Sequence, residues 1–189
     1  MVDGKLLYMP SGFERLIKKV EENSPKIGEG SEKVVFEHYT KPDRVIGIYK
    51  EDAQDNIWSD GNEERKTTFY LNKIMNLLYP QNFPPTHLVS SEPRAMERGR
   101  VMGTPLVKSD RLSDEFKNLI SSFAESGIAV DPDINNFLRD RDGNIVYVDD
   151  FAGYDQNYDP KKLRLAIESK LEGEDKVRAL KYLERATYF

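Results

Sequence analysis

The stretch that decides the fold is Asp131-Pro-Asp-Ile-Asn-Asn-Phe-Leu-Arg-Asp-Arg-Asp-Gly-Asn-Ile-Val-Tyr-Val-Asp-Asp-Phe151. Its second half predicts a β-hairpin, because the turn-forming residues 142–144 precede the strand-like run 145–148. When the hairpin folds back, Asn136 and the carboxylates of Asp149 and Asp150 come to the same end of a two-stranded ribbon. The stretch therefore predicts a cluster of oxygen-bearing side chains at one end of a hairpin.

The residue types in this cluster suit phosphoryl transfer. Asp131 precedes Asn136 by five residues. One Asp can position a hydroxyl nucleophile, while an Asn and a second Asp hold a hard cation through oxygen ligands. The alternative is a solvated run of charge. Two features favour an ordered site: Val148 closes a strand that we expect to be buried, and the apolar pair Phe137-Leu138 follows Asn136.

Composition limits the classes of function. The chain has 189 residues, a net charge of −5 and no cysteine. An acidic chain does not favour nucleic acid as a partner, and the absence of cysteine excludes disulfides and thiolate metal sites. No apolar run approaches the roughly 20 residues of a membrane span. The beginning of the chain lacks the pattern of a secretory signal, so we expect a cytoplasmic protein.

Periodicity predicts the elements outside the hairpin. Helical spacing of apolar residues predicts helices over residues 11–23, 63–79, 113–123, 160–171 and 174–188, and β-rich runs predict strands over 33–39 and 44–50. Two further short strands are expected within 86–102, and Gly103-Thr-Pro105 is interpreted as a connector. The composition changes near Gly103 from strand-rich to helix-rich, which predicts a hinge between two parts of one domain.

Three motifs that precede the hairpin in sequence are of a kind that can bind a nucleotide. Gly28 and Gly30 precede a strand and would let phosphates approach the backbone, although a plain hairpin turn is the alternative. Lys50 ends a strand, and its spacing from Val35 would bring it beneath these glycines; a solvated lysine is the alternative. Glu63 and Glu64 open the long helix, where the helix dipole favours acids in any case. We prefer Glu64 as a partner for Lys50, since it shares a helix face with apolar residues.

Taken together and in this order, the motifs over residues 25–152 resemble the protein kinase-like superfamily. The resemblance implies an α+β bilobal fold: a small antiparallel-sheet lobe with one long helix over residues 1–103, and a short helical lobe over residues 104–189. The segment Met96-Glu-Arg98 followed by Val101–Leu106 is similar to the hinge between the lobes in aminoglycoside-phosphotransferase-like and small bacterial effector kinases.

The resemblance also implies roles for individual residues, with ATP and Mg²⁺ as cofactors. Asp131 would be the catalytic aspartate, with Lys50 and Glu64 as the lysine–glutamate pair that orients the phosphates. The metal ligands would be Asn136 and Asp150, with Asp149 as the alternative one residue earlier. The residues implied in nucleotide binding are Gly28, Gly30, Val35, Lys50, Met96 and Glu97.

The sequence departs from the family pattern at several points. Lys33 stands where the third glycine of the loop is usual, and Ala129 and Val130 replace the His and Arg that usually precede the catalytic aspartate. Ala152 replaces the glycine after Asp150-Phe151, and no Ala-Pro-Glu sequence follows. The short remainder of the chain resembles the minimal kinases that bacterial pathogens inject into host cells.

Three functions follow from the resemblance. The first is a minimal protein kinase of the serine/threonine type, which implies a protein substrate, an activating host protein and delivery to a host cytosol as a secreted effector. The second is a small-molecule kinase of the aminoglycoside-phosphotransferase type, for which a cationic substrate would need acidic neighbours such as Asp133. The third is an inactive kinase fold that serves as a binding module, against which the set of Lys, Asp, Asn and Asp residues argues.

Overall fold

The computed structural model describes residues 12–30, 33–50, 61–89, 95–149 and 158–187, without the side chains of residues 61–64. Within these residues the protein is α+β, with five α-helices and two antiparallel sheets. The helices are α1 (Gly12–Asn23), α2 (Gly61–Leu78), α3 (Asp114–Glu125), α4 (Pro160–Lys170) and α5 (Gly173–Thr187). The strands are β1 (Lys26–Glu29), β2 (Lys33–Glu37), β3 (Arg44–Tyr49), β4 (Thr86–Leu88), β5 (Ala95–Gly99), β6 (Gly103–Pro105), β7 (Phe137–Asp140) and β8 (Ile145–Tyr147).

The larger sheet has five strands in the order β1-β2-β3-β5-β4. Successive side chains of a strand point to opposite faces, so each face of this sheet has its own pattern. One face is apolar: Phe36, Ile46 and Ile48 are buried against Phe13 and Val20 of α1. The amphipathic helix α1 therefore covers one face of the sheet, and the residues in between point to the other face.

The smaller sheet has three strands in the order β6-β7-β8 and shares a core with helices α2 to α5. Rings of Phe116 and Tyr147 lie at 5.0 and 5.1 Å from the ring of Phe137 in edge-to-face arrangements. Helix α2 packs along α5, where the rings of Tyr70 and Tyr182 stack at 6.0 Å. The hairpin β7-β8 is thus held on a rigid aromatic core.

Local signals account for the helix boundaries. Ser113 begins α3, where its side chain accepts a hydrogen bond from the Phe116 amide at 3.2 Å. Asp159 begins α4 by accepting from the amides of residues 161 and 162, and Pro160 occupies the first turn. None of the helices in the described ranges has the length and apolar character needed to cross a membrane.

Most of the predicted elements are confirmed, with boundaries shifted by one or two residues. The interpretation of Gly103–Pro105 as a connector is wrong, because this segment is strand β6 and pairs with β7 in the register Gly103↔Asp140. The sequence carries few strand-forming residues there, so its strand conformation comes from the pairing itself. The chain passes from the large sheet to the small one at this point, next to the predicted boundary at residue 103. The division into two lobes stays a prediction.

Gly127 and Gly143 offer a matched test of this packing. Both have positive φ, +87° and +89°. A Cβ on Gly127 would lie 2.6 Å from the Asp159 carbonyl oxygen, whereas a Cβ on Gly143 would meet nothing within 4 Å. We expect Gly127→Ala to lower the free energy of unfolding by more than about 2 kcal/mol, and Gly143→Ala by only about 1 kcal/mol. Urea denaturation of both variants measures the difference; equal losses would contradict the close packing at Gly127.

Candidate functional site

A cavity of about 370 Å³ lies between the two sheets. Its volume falls within the range of small-molecule sites, and its walls are mainly apolar. The lining residues come from the glycine segment, the free face of the large sheet, the connection between the sheets and the hairpin: Ile27, Gly28, Val35, Val45, Pro84, Arg98, Gly99, Arg100, Val101, Met102, Gly103, Leu138 and Val148. Segments of the chain that are distant in sequence therefore build one site.

Strand alternation decides which side chains of the large sheet reach this cavity. Val35 lies opposite Gly47, and Val45 lies opposite Arg98. Of these, Val35, Val45 and Arg98 line the cavity, and Gly47 shares their face through the two-residue period of the strands. Lys33, two residues before Val35, belongs to the same face. The face opposite α1 is thus the cavity face.

Lys33 places a positive charge on the cavity face of the large sheet, near the end of the hairpin. Its Nζ lies 3.0 Å from Oδ1 of Asp149, with the lysine side chain 16% exposed and that of the aspartate 43% exposed. The two residues are far apart in sequence, so the ion pair joins the large sheet to the end of the hairpin. A Cβ added to Gly47 would lie 3.8 Å from Cδ of Lys33. The small residue on β3 thus leaves room for the lysine stem from β2.

Lys50, the lysine expected from the sequence, has a different environment. Its Nζ lies 2.7 Å from Oε1 of Glu29. Hydrogen bonds and charge from Lys26 first, and from Lys50 second, hold the pKa of Glu29 at about 2. Residue 50 has the parity of Ile46 and Ile48, whose side chains face α1, so alternation does not direct Lys50 toward the cavity. Lys33 lies beside Asp149 instead, and the role expected of Lys50 stays a prediction.

Neither Met96 nor Glu97 lines the cavity, and their expected part in nucleotide binding stays a prediction. Glu97 lies opposite Ile46 and therefore points to the face of α1. Its carboxylate receives the Lys41 ammonium at 3.0 Å and the Arg44 guanidinium at 2.8 Å. Burial raises the pKa of Glu97, but these cations outweigh it and hold the pKa below its ordinary value. The segment that lines the cavity begins at Arg98, one residue later.

The end of the hairpin has the geometry that the sequence predicted. Phe137 pairs with Tyr147 in the β7-β8 ladder, and the Val148 amide donates to the carbonyl oxygen of Asn136 at 2.9 Å. Asn136 is therefore fixed beside the residue that precedes Asp149. The backbone therefore places Asn136 and Asp149 at the same end of the ribbon, next to the cavity wall formed by Val148.

Asp131 lies on the loop before the hairpin and is exposed. Its Oδ1 accepts a hydrogen bond from the Asp133 amide at 3.0 Å. Within the described part of the chain, no residue is hydrogen-bonded to its Oδ2. Asp133 has a structural use, because its Oδ1 accepts both the main-chain and the side-chain N–H of Asn135. Asp131 is thus oriented by a turn and keeps an oxygen for another group, whereas Asp133 begins the short 3-10 turn Ile134–Asn136.

Several expected residues can be placed only in part. The side chains of Glu63 and Glu64, and the whole of residues 150–152, lie outside the described residues. The lysine–glutamate pair and the metal ligand Asp150 therefore stay predictions. Gly28 lines the cavity, and the Gly30 amide donates to the carbonyl oxygen of Lys33 at 2.9 Å, which closes the turn between β1 and β2.

Sequence reasoning missed two residues of the site. The family pattern identifies Lys33 only as the position of a missing glycine, and Arg98 only as part of a hinge segment. The buried residues of β2 and β3 lie at even positions, so strand alternation assigns odd positions to the opposite face. This alternation is the sequence signal that places Lys33 on the cavity face. Comparison of the sequence with models of protein families and with curated proteins gives no match.

Proposed function

We propose that this protein is an ATP-dependent phosphotransferase with a bilobal kinase-like fold, in which the nucleotide binds in the cavity between the two sheets. The observation that carries the proposal is the Lys33–Asp149 ion pair beside an apolar cavity of about 370 Å³. The cation and the carboxylate suit the phosphates and their metal ion. The apolar cavity beside them suits the base of the nucleotide.

The cavity provides the surroundings that a flat heteroaromatic base requires. Val35 and Val45 form one wall, and Leu138 and Val148 come from the hairpin. Residues 101 and 102 line the cavity between β5 and β6, outside either strand ladder. Their backbone N–H and C=O groups can therefore pair with the polar edge of a base. These features support a nucleotide over a purely apolar ligand.

The chemistry of the donor set fits a magnesium ion held together with phosphates. Within the described ranges no three His, Cys, Asp or Glu residues converge to form a complete metal site. Mg²⁺ is commonly held by one or two carboxylates plus substrate phosphates, so Asp149 and the Asn136 amide suffice from this part of the chain. When bound, the ion would neutralise charge on the phosphates. Asp150, the ligand expected from the sequence, is the alternative to Asp149.

The remaining roles follow from position. Lys33 orients the phosphates by charge-assisted hydrogen bonds, the role that the sequence assigned to Lys50. Oδ2 of Asp131 accepts a hydrogen bond from the substrate hydroxyl and aligns that hydroxyl for in-line attack on the γ-phosphate. The acceptor we propose is a protein hydroxyl, with a host protein as substrate or activator, as the resemblance to minimal effector kinases implies. Asp133 is already used in a turn, which weakens the case for a cationic small-molecule substrate.

The proposal is tested by transfer of labelled γ-phosphate from ATP. Purified protein with Mg²⁺ is incubated alone and with a cell lysate, and label on protein is measured. We expect incorporation by the wild type, and its loss with EDTA and in Asp131→Ala. Arg139→Ala, which removes a partly exposed side chain paired with Glu115 at the far end of the hairpin, is the control. Label that persists in Asp131→Ala would contradict the proposal.

A further inference from the structure

Arg98 is a buried arginine in the wall of the cavity. It lies on β5 with 7% of its surface exposed. A guanidinium removed from water must be met by oxygen acceptors, since leaving it without them costs several kcal/mol. Its Nη1 donates to the carbonyl oxygens of Val148 and Asp149, at 3.2 and 2.8 Å. The guanidinium therefore holds the backbone at the end of the hairpin, where the candidate metal ligand lies.

The other side of the guanidinium reaches helix α2. Nη2 of Arg98 donates to Oδ1 of Asn72 at 3.3 Å, and Asn72 is fully buried. The Asn72 amide group in turn donates to the carbonyl oxygen of Thr68 at 2.9 Å. Leu71 and Ile74, on either side of Asn72, belong to the core shared by helices and hairpin. Arg98 thus connects the Asp149 backbone to a helix that is itself fixed.

We infer that Arg98 is a positioning residue, which fixes Asp149 for binding of the metal–nucleotide complex and uses Asn72 as its anchor on α2; this rests on the proposed function. Two neighbouring carbonyl groups bonded to one planar group cannot rotate independently. The Asp149 carboxylate is thereby kept beside Lys33 Nζ before any ligand arrives. A ligand then binds without having to order this end of the hairpin first.

An arginine suits this position because its fork of N–H groups is planar and can serve three acceptors at once. A lysine keeps the charge but is a single point donor that reaches fewer of the three oxygens. A methionine keeps most of the volume and offers no donor. These two substitutions therefore separate the geometry of the fork from its charge and its packing.

The test measures the affinity for ATP by calorimetry, with Mg²⁺ and with EDTA, in wild type, Arg98→Met and Arg98→Lys. We expect Arg98→Met to weaken the affinity for Mg·ATP about tenfold, as on loss of a hydrogen bond to a charged donor, and to change the affinity in EDTA much less. Arg98→Lys should recover part of the loss. Arg139→Met is the control, since Arg139 bonds the Gly143 carbonyl at the opposite end of the same hairpin; its affinity should equal that of the wild type.

The outcomes are distinguishable. A wild type without metal-dependent ATP binding overturns the proposed function and this inference with it. A wild type that binds Mg·ATP, together with a folded Arg98→Met that binds it equally well, overturns the inference alone. Equal weakening with and without Mg²⁺ also overturns it, because a purely structural role would act on both. Should Arg98→Met fail to fold, Asn72→Ala removes only the anchor, and we expect a smaller metal-specific loss of affinity from it.

Discussion

Replacing Lys33 with alanine is expected to reduce kcat/KM for ATP about 10²- to 10³-fold, the range seen when one group that stabilises developing charge is removed. The ammonium lies 3.0 Å from Asp149 Oδ1 and belongs to the strand face that lines the cavity. Replacing Lys50 should change kcat/KM only a few fold, because its partner is Glu29 at 2.7 Å. Steady-state kinetics of both variants decides between the two lysines.

A double variant tests whether an ammonium group at this place is sufficient when it comes from β3 instead of β2. A Cβ on Gly47 would lie 3.8 Å from Cδ of Lys33, so a lysine stem that starts at residue 47 enters the space of the existing one. We expect Lys33→Ala combined with Gly47→Lys to recover at least a tenth of the wild-type kcat/KM. Full activity in Lys33→Ala, with loss of activity in Lys50→Ala, would contradict the assignment and restore the lysine expected from the sequence.

The Asp149→Asn substitution is expected to remove the dependence of ATP affinity on Mg²⁺. Charge neutralisation at a metal contributes several kcal/mol, so the affinity for Mg·ATP should fall at least about 10²-fold while the affinity in EDTA stays similar. The fold should survive. Asp149 is 43% exposed, and an ion pair at such a position contributes at most about 1 kcal/mol. Calorimetric titrations with and without Mg²⁺ measure the effect.

Asp150→Asn is the matched comparison, since it removes the same charge one residue later. Val148 lines the cavity and Lys33 binds Asp149, so we expect Asp150→Asn to keep most of the metal dependence. If Asp150→Asn abolishes the metal dependence and Asp149→Asn does not, the ligand is the residue first expected from the sequence. Thermal melts of both variants check that any loss is not a loss of folding.

The parts of the fold that could be predicted from sequence are those with strong local signals. The hairpin β7-β8 has a turn sequence and a continuous apolar run, and the long helix α2 has regular apolar spacing, so the sequence predicts both near their observed positions. The convergence of Asn136 with the end of β8 followed from hairpin geometry alone. Strand β6 could not be predicted, because its three residues gain strand conformation only through pairing with β7.

The site was harder to predict because strand parity decides it. A shift of one residue turns a side chain to the other face of a sheet, which is the difference between Glu97 and Arg98 on β5. It also separates Lys50 from the cavity face to which Gly47 belongs. The family resemblance implies a role for Lys50, which follows β3, whereas Lys33 on β2 belongs to the strand face that lines the cavity. The pairing of Lys33 with Asp149 is a contact between distant segments that no local pattern encodes.

The link from Arg98 to Asn72 had no signal in the sequence. Each residue type is ordinarily exposed, and here both are buried while bonded to each other and to backbone carbonyl groups. Such buried polar contacts become visible only when the packing of α2 against β5 is known.

The most direct test of the central claim is a titration of the ¹⁵N-labelled protein with Mg·ATP, followed by NMR. We expect the amide signals of Gly28, Val35, Val101 and Val148, which line the cavity between the sheets, to shift together with one dissociation constant. The amides of Asn118 and Ser122, at a separate polar cavity beside α3, should stay unchanged. Unchanged signals around the first cavity at millimolar Mg·ATP, or shifts confined to the second, would contradict the account.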